Sequence, residues 1–147
     1  MGIWACQVFN IIPYRDVFLW NSIIAGYAQN GHCNEALELF HQTQKQGWKP
    51  DFVTIVSILP VFACLAALKR GKEIHAYIMR SALQYDIPIV NTLVDMYAKC
   101  GNIKFARFVF DRMPRKTVVS WNTMIAGYGI HGHGDDAVAL FYQIEKA

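Results

Sequence analysis

The stretch WNSIIAGYAQNGHCNEALELF, residues 20–40, returns as WNTMIAGYGIHGHGDDAVALF at residues 121–141, and a more distant version, VNTLVDMYAKCGNIKFARFVF, occupies residues 90–110. Self-similarity is read before any other motif, because a missed period is a misread fold. The three openings, Trp20, Val90 and Trp121, stand 70 and 31 residues apart. Since 70 is twice 35, a fourth and more divergent copy is expected near Ile55. The segment IVSILPVFACLAALKRGKEIHAYI, residues 55–78, keeps the apolar spacing and the small-residue middle there.

Each copy reads as two helices. Trp20, Ile23, Ile24, Tyr27 and Ala28 follow the i, i+3, i+4, i+7, i+8 spacing of one helical face. Asn30 and Gly31 stop that helix, and Asn34 is expected to cap the next, whose face is Ala36, Leu37, Leu39 and Phe40. Gly47 and Pro50 close the second helix. The same punctuation recurs at Cys100-Gly101-Asn102 with Pro114, and at Gly132-His133-Gly134. Asp135 and Asp136 follow it, where a helix N-terminus favours negative charge. FVTIVSIL, residues 52–59, has strand-like composition, but its register with the other copies predicts helix. Helix pairs of 31 to 35 residues cannot bury their apolar faces alone, so they stack into an array with one continuous core.

Composition agrees with stacking. The chain of 147 residues is 54% apolar and 17% charged, which excludes a disordered tail. Cys6, Cys33, Cys64 and Cys100 form no CxxC pair and are expected as reduced thiols on buried or half-buried faces. The net charge of +3 decides little, but its distribution is uneven: residues 69–116 hold ten of the 14 Lys and Arg and four of the 11 acids. That is compatible with a basic face toward an anionic partner, and equally with solvated outer helix faces. The uncharged run Phe52 to Leu68 is short for a bilayer span and contains Pro60, Ser57 and Thr54, so no membrane insertion is expected. The first residues lack both a secretory and a transit-peptide pattern, and the chain is expected to be a fragment of a longer array.

Specific words carry a family resemblance: the Trp-Asn-Ser/Thr-x-Ile-Ala-Gly-Tyr openings at Trp20 and Trp121, the run from Val90 to Gly101, Ala106 through Phe110-Asp111-Arg112-Met113-Pro114, and Gly71-Lys72-Glu73-Ile74-His75. They resemble pentatricopeptide repeats of the alternating plant type, in which P, L and S units of different length follow one another. The resemblance implies an all-α fold, an α-solenoid coiled as a right-handed superhelix of helix-turn-helix repeats. It divides the chain into the tail of an S unit (1–16, with Ala5, Val8, Phe9 and Pro13 matching its second helix), a P unit (17–51), an L unit (52–86), an S unit (87–117) and an incomplete P unit (118–147). A tetratricopeptide array has a similar period, but its Trp-x-x-Leu-Gly-x-x-Tyr hallmark is not found and the 31-residue unit breaks its register.

What the resemblance implies for function is modular binding of single-stranded organellar RNA, in mitochondrion or chloroplast, one base per unit, with recognition of C-to-U editing sites as the expected task. The implied base-reading residues are the Asn after the opening residue and the last residue of the unit. These are Asn21 with Asp51, associated in the family with uracil over cytosine, Asn91 with Thr117, leaning to pyrimidine, and Asn122, whose partner lies beyond the chain. An amide offers both a donor and an acceptor to a base edge. The corresponding L-unit pair is Val56 with Asp86, and Val56 cannot hydrogen-bond a base. Each of these asparagines also has an ordinary reading as a cap or surface residue near a helix start. Phe18, Pro88 and Val119, second in their units, are the implied base-stacking residues; their alternative is buried packing.

No catalytic residue, metal site or cofactor is expected. The zinc deaminase joined to many such arrays needs His-x-Glu and Pro-Cys-x-x-Cys, and neither occurs here. A role in editing would come from a tail missing from this chain, or from a deaminase or editing-factor proteins supplied in trans. His131 and His133 are spaced like ligands but fall in a turn with no third ligand, as does His32 in the first copy. The competing function is a protein-binding helical-repeat scaffold.

Overall fold

The computed structural model describes residues 17–146, and these form eight α-helices and one short 3-10 turn with no strand among them. The helices are α1 (Val17–Gln29), α2 (Cys33–Lys45), α3 (Phe52–Cys64), α4 (Leu68–Arg80), α5 (Ile87–Lys99), α6 (Ile103–Asp111), α7 (Val118–Ile130) and α8 (Gly134–Lys146), with the 3-10 turn Leu83–Tyr85 before α5. The segment FVTIVSIL is helical, as its register required. The expected tail unit at residues 1–16, with Cys6, lies outside the described residues.

The four pairs stack as an all-α solenoid. First helices α1, α3, α5 and α7 lie side by side, and each second helix packs on its own first helix and on the first helix of the next pair. This arrangement explains why α3 is apolar nearly all round: Ile55, Ile58, Leu59, Val61 and Phe62 are all buried, facing neighbours on several sides. Aromatic contacts join successive pairs. Phe40 of α2 meets Phe62 of α3 edge-on at 6.0 Å between ring centroids, and Phe110 of α6 meets Trp121 of α7 at 5.1 Å. Backbones come close between first helices too. A Cβ at Gly127 of α7 would lie 3.0 Å from the Ala98 Cβ of α5, so a side chain there would push the two pairs apart.

The turn inside each pair is the same turn four times. Residue 15 of each copy, counted from the first helix's start, has positive φ: Gly31, Ala66, Gly101 and Gly132. The next residue's N–H then donates back to the fifth residue before it, as in His32 to Tyr27, Ala67 to Phe62, Asn102 to Tyr97 and His133 to Tyr128, at 2.8–2.9 Å. Glycine tolerates that conformation; Ala66 adopts it at φ 50°.

Two sequence expectations are corrected. Asn34 does not cap α2, because the helix already starts at Cys33 and its N-cap residue is His32, which makes no side-chain cap bond. Asn102, the equivalent of His32 in its own copy, does cap α6, accepting from the Phe105 N–H at 3.2 Å. The helix in the first copy therefore starts two residues earlier than a cap at Asn34 predicts. Cys33 is buried and Cys100 half-buried, as expected, but Cys64 is exposed, because it ends α3 at the turn and not on the stacked face.

Candidate nucleic-acid interface

The first helices begin in register, which lines up their N-terminal turns along one row. Phe18, Val53, Pro88 and Val119 are each second in their helix, and all four are exposed, Phe18 at 77%. The alternative reading of Phe18, Pro88 and Val119 as buried packing residues therefore does not describe their placement. One turn further in, the fifth residues are Asn21, Val56, Asn91 and Asn122. Asn21 and Asn91 are buried at 5% and 8% exposure, Val56 is half-buried, and Asn122 is exposed.

The residue just before each following first helix is its N-cap. Asp51 accepts from the Thr54 N–H at 2.9 Å, Asp86 from the Ile89 N–H at 3.2 Å, and Thr117 from the Ser120 N–H at 3.3 Å. The expected reading partners thus also hold the next helix in place. Asp51 and Thr54 form a full capping box, with the Asp51 N–H donating to the Thr54 hydroxyl at 3.3 Å.

Asn21 and Asp51 meet across the stack. The Asn21 amide Nδ2 donates to Asp51 Oδ1 at 3.1 Å, and the Thr54 hydroxyl donates to Asn21 Oδ1 at 2.7 Å while lying 2.8 Å from Asp51 Oδ1. Partial burial works to raise the Asp51 carboxyl, but hydrogen bonds from Thr54, Asn21 and the Val53 backbone leave it below its ordinary value. It is therefore a carboxylate at neutral pH, an acceptor only. A shallow cleft lined by Val17, Asn21, Trp48, Lys49, Pro50 and Thr54 opens beside this cluster.

Asn91 and Thr117 are not brought together in the same way. The Thr117 hydroxyl lies 3.2 Å from Ser120 Oγ, whose oxygen also accepts from the Thr117 N–H at 3.0 Å, and Asn91 Oδ1 is buried with no hydrogen-bond partner. A buried amide oxygen without a donor is costly and uncommon. The sequence reading missed Thr54 and Ser120 as members of the site. The available signal was their position: each is third in its helix, and each follows a copy whose fifth residue is Asn.

The basic residues divide between the two sides of the array. Lys69, Arg70, Lys72 and Arg80 lie on α4 and Lys104 on α6, while Arg115 and Lys116 immediately precede Thr117 in the row of helix starts. Arg107 is committed internally, to Asp111 at 2.8 Å and to the Tyr128 hydroxyl at 3.1 Å. His131 and His133 sit in the turn between α7 and α8, His131 against the Ala98 carbonyl and His133 3.4 Å from Asp136. Among the described residues no three His, Cys, Asp or Glu side chains are grouped to hold a metal ion, and no helix is long and apolar enough to cross a membrane.

A stack of two-helix units whose first helices start along one row defines a helical-repeat protein. The chain belongs to the PPR repeat family: residues 15–64 match the family model, and residues 89–118 and 119–147 each match the PPR repeat. It is 46% identical over 141 residues to the chloroplastic pentatricopeptide repeat-containing protein DOT4 of Arabidopsis thaliana, covering 95% of this chain and 16% of that protein. It is 44% identical over 137 residues to a putative mitochondrial pentatricopeptide repeat-containing protein of the same plant, covering 93% of this chain and 22% of that one. The chain therefore spans less than a quarter of the length of these relatives. The crystal structure of the pentatricopeptide repeat protein PPR10 in complex with an 18-nt psaJ RNA element shares the fold, with a TM-score of 0.75 at 24% identity over 95% of this chain and 21% of that one.

Proposed function

We propose that this chain is part of a protein that binds single-stranded RNA in chloroplasts or mitochondria, reading one base per helix pair, with units at 17–51, 52–86, 87–117 and 118–147. The observation that carries the reading is the cluster of Asn21, Asp51 and Thr54, a buried amide tied to a carboxylate beside the exposed Phe18. With its carbonyl and one N–H engaged, the Asn21 amide retains a second N–H next to a carboxylate. A donor beside an acceptor complements the adjacent carbonyl and N3–H of uracil. Asn91 with Thr117 offers no carboxylate and leans to pyrimidines without choosing between them, and Asn122 serves the last unit. Phe18, Pro88 and Val119 stack against the bases, Val56 leaves the L unit silent, and Arg115, Lys116 and Lys49 attract the phosphates.

An organellar location is supported by the chloroplastic and mitochondrial relatives, and RNA as the ligand by the similarly folded PPR10, whose crystals hold an 18-nt psaJ RNA element. Within that setting the finer task is selection of C-to-U editing sites, with the deaminase supplied outside this chain. Fluorescence anisotropy at low salt, with labelled RNAs differing only at the base opposite Asn21, tests the reading. Tighter binding of the uridine than of the adenosine RNA is expected, and equal affinity overturns it.

A protein-binding scaffold is the second reading. A groove of about 530 Å³ on the side of the second helices, with Ile78, Met79, Leu93, Phe108 and Val109 in its lining, favours it. Co-purification of a protein after nuclease treatment, without an RNA-dependent gel shift, would support that reading over the first.

A further inference from the structure

Among the described residues five polar side chains are buried: Asn21, Thr43, Thr54, Asn91 and Ser120. Thr43 is satisfied within its own helix, donating to the Phe40 carbonyl at 2.7 Å. The other four are two equivalent couples, the fifth residue of one first helix with the third residue of the next: Asn21 with Thr54, and Asn91 with Ser120. Where the fifth residue is Val56, the third residue of the next first helix is Ile89. An amide is thus matched by a hydroxyl, and an apolar side chain by an apolar one. Burying a polar group is costly unless it is paired, so the match is a physical requirement of the stack.

The two couples are not in the same state. An ionised Asp51 accepts and never donates, so the Asn21 amide must turn its NH2 toward it. Its carbonyl then faces α3, where the Thr54 hydroxyl lies 2.7 Å from it and 2.8 Å from Asp51 Oδ1, so that one hydroxyl bridges the amide and the carboxylate. Without that hydroxyl the carbonyl would be buried unpaired and the amide would have no second anchor. In the other couple no carboxylate stands at position 117, the Ser120 hydroxyl lies 3.2 Å from that of Thr117, and Asn91 Oδ1 has no hydrogen-bond partner at 8% exposure. Neither orientation of that amide is enforced.

We propose that the third residue of the following first helix is a positioning residue for base readout: Thr54 locks the Asn21 amide into one orientation and makes that site selective, whereas the unlocked Asn91 turns its carbonyl or its NH2 toward either pyrimidine. The proposal rests on the RNA-reading function above. It makes each base the business of two adjacent units, with the second supplying the lock. A free carbonyl at Asn91 takes the N4–H of cytosine or the N3–H of uracil, and the turned amide donates to the carbonyl of either.

The test pairs a measurement without RNA with one that includes it, on the wild-type chain, T54V and the hydroxyl-retaining T54S. In the free protein the Asn21 side-chain NH2 resonances should exchange slowly with water in the wild type and T54S, and rapidly in T54V. With short oligo(U) and oligo(C), whose uniform sequence removes any question of register, the wild type and T54S should prefer oligo(U). T54V should lose roughly tenfold of that preference, the worth of about one hydrogen bond between neutral groups. An unchanged oligo(U)-to-oligo(C) ratio in T54V with a lowered unfolding midpoint would show a purely structural threonine and overturn the positioning role alone. Absence of any wild-type RNA binding overturns the RNA reading itself.

Discussion

Replacing Asp51 separates its two duties. Asp51→Ala removes the N-cap of α3, a loss of about 1 kcal/mol. It also leaves the buried Asn21 amide N–H without its acceptor, a further cost of about 1–3 kcal/mol. The sum is roughly 2–4 kcal/mol, counting the Thr54 hydroxyl as free to remain on Asn21. Asp51→Asn keeps a competent cap and an oxygen for the Asn21 amide, so its cost should stay under about 1 kcal/mol. Because each pair contacts only its neighbours, the loss should concentrate in α1 and α3. Urea unfolding followed by circular dichroism gives the total, and native-state hydrogen exchange of α1 and α3 amides gives the location. The pH dependence adds a sign. The folded Asp51 carboxyl lies below its ordinary value of 3.8, so its contribution is complete above that pH and disappears as pH falls through the folded value. Acid below about pH 4 should therefore cost the wild type more than Asp51→Asn. Equal stabilities of the Ala and Asn variants, or exchange rates changed equally along the whole array, would refute the reasoning.

Phe18→Ala should weaken binding to all RNAs by about 1–3 kcal/mol without changing base preference. It should leave the thermal midpoint nearly unchanged because Phe18 is 77% exposed; affinities on oligo(U) and oligo(C) together with a melting curve check both. Log Kd against log salt should be linear with a slope of about 0.7 per phosphate neutralised, and Arg115→Ala with Lys116→Ala should flatten it. Burial lowers the His75 pKa beneath its ordinary 6.5, and the ring pairs with the Tyr97 hydroxyl at 2.9 Å. The unfolded chain then binds the proton first as pH falls. Stability is whole above pH 6.5 and declines below it, and His75→Gln should show a smaller drop in urea midpoint between pH 7.5 and 5.5.

The fold was legible because the chain states it four times. One copy of residues 52–86 would leave FVTIVSIL ambiguous, and only its register with Trp20, Val90 and Trp121 makes it a first helix. Turns were legible wherever a glycine fills the left-handed position; Ala66 fills it too, in a turn closed by the Ala67 N–H to the Phe62 carbonyl at 2.8 Å. The candidate readers Asn21, Asn91 and Asn122 were visible as a repeated residue type. What sequence did not show is which of them is satisfied. Thr54 and Ser120 look like ordinary capping residues at the third helical position, and that is part of what they do. That Thr54 meets a buried amide of the preceding pair depends on the stacking distance between helices, which no local pattern encodes. For the same reason Asn21 with Asp51 and Asn91 with Thr117 read as equivalent pairs, although a carboxylate draws the first together and a hydroxyl already bonded to Ser120 leaves the second apart.

A titration of the isotopically labelled chain with oligo(U), followed through the side-chain NH2 resonances of asparagine, tests base readout most directly. Asn21, Asn91 and Asn122 should shift together, while Asn30 and Asn34, in the turn and on the second helix, stay still. Shifts confined to residues around the α4 and α6 basic side chains, with the three reading asparagines unmoved, would contradict the account.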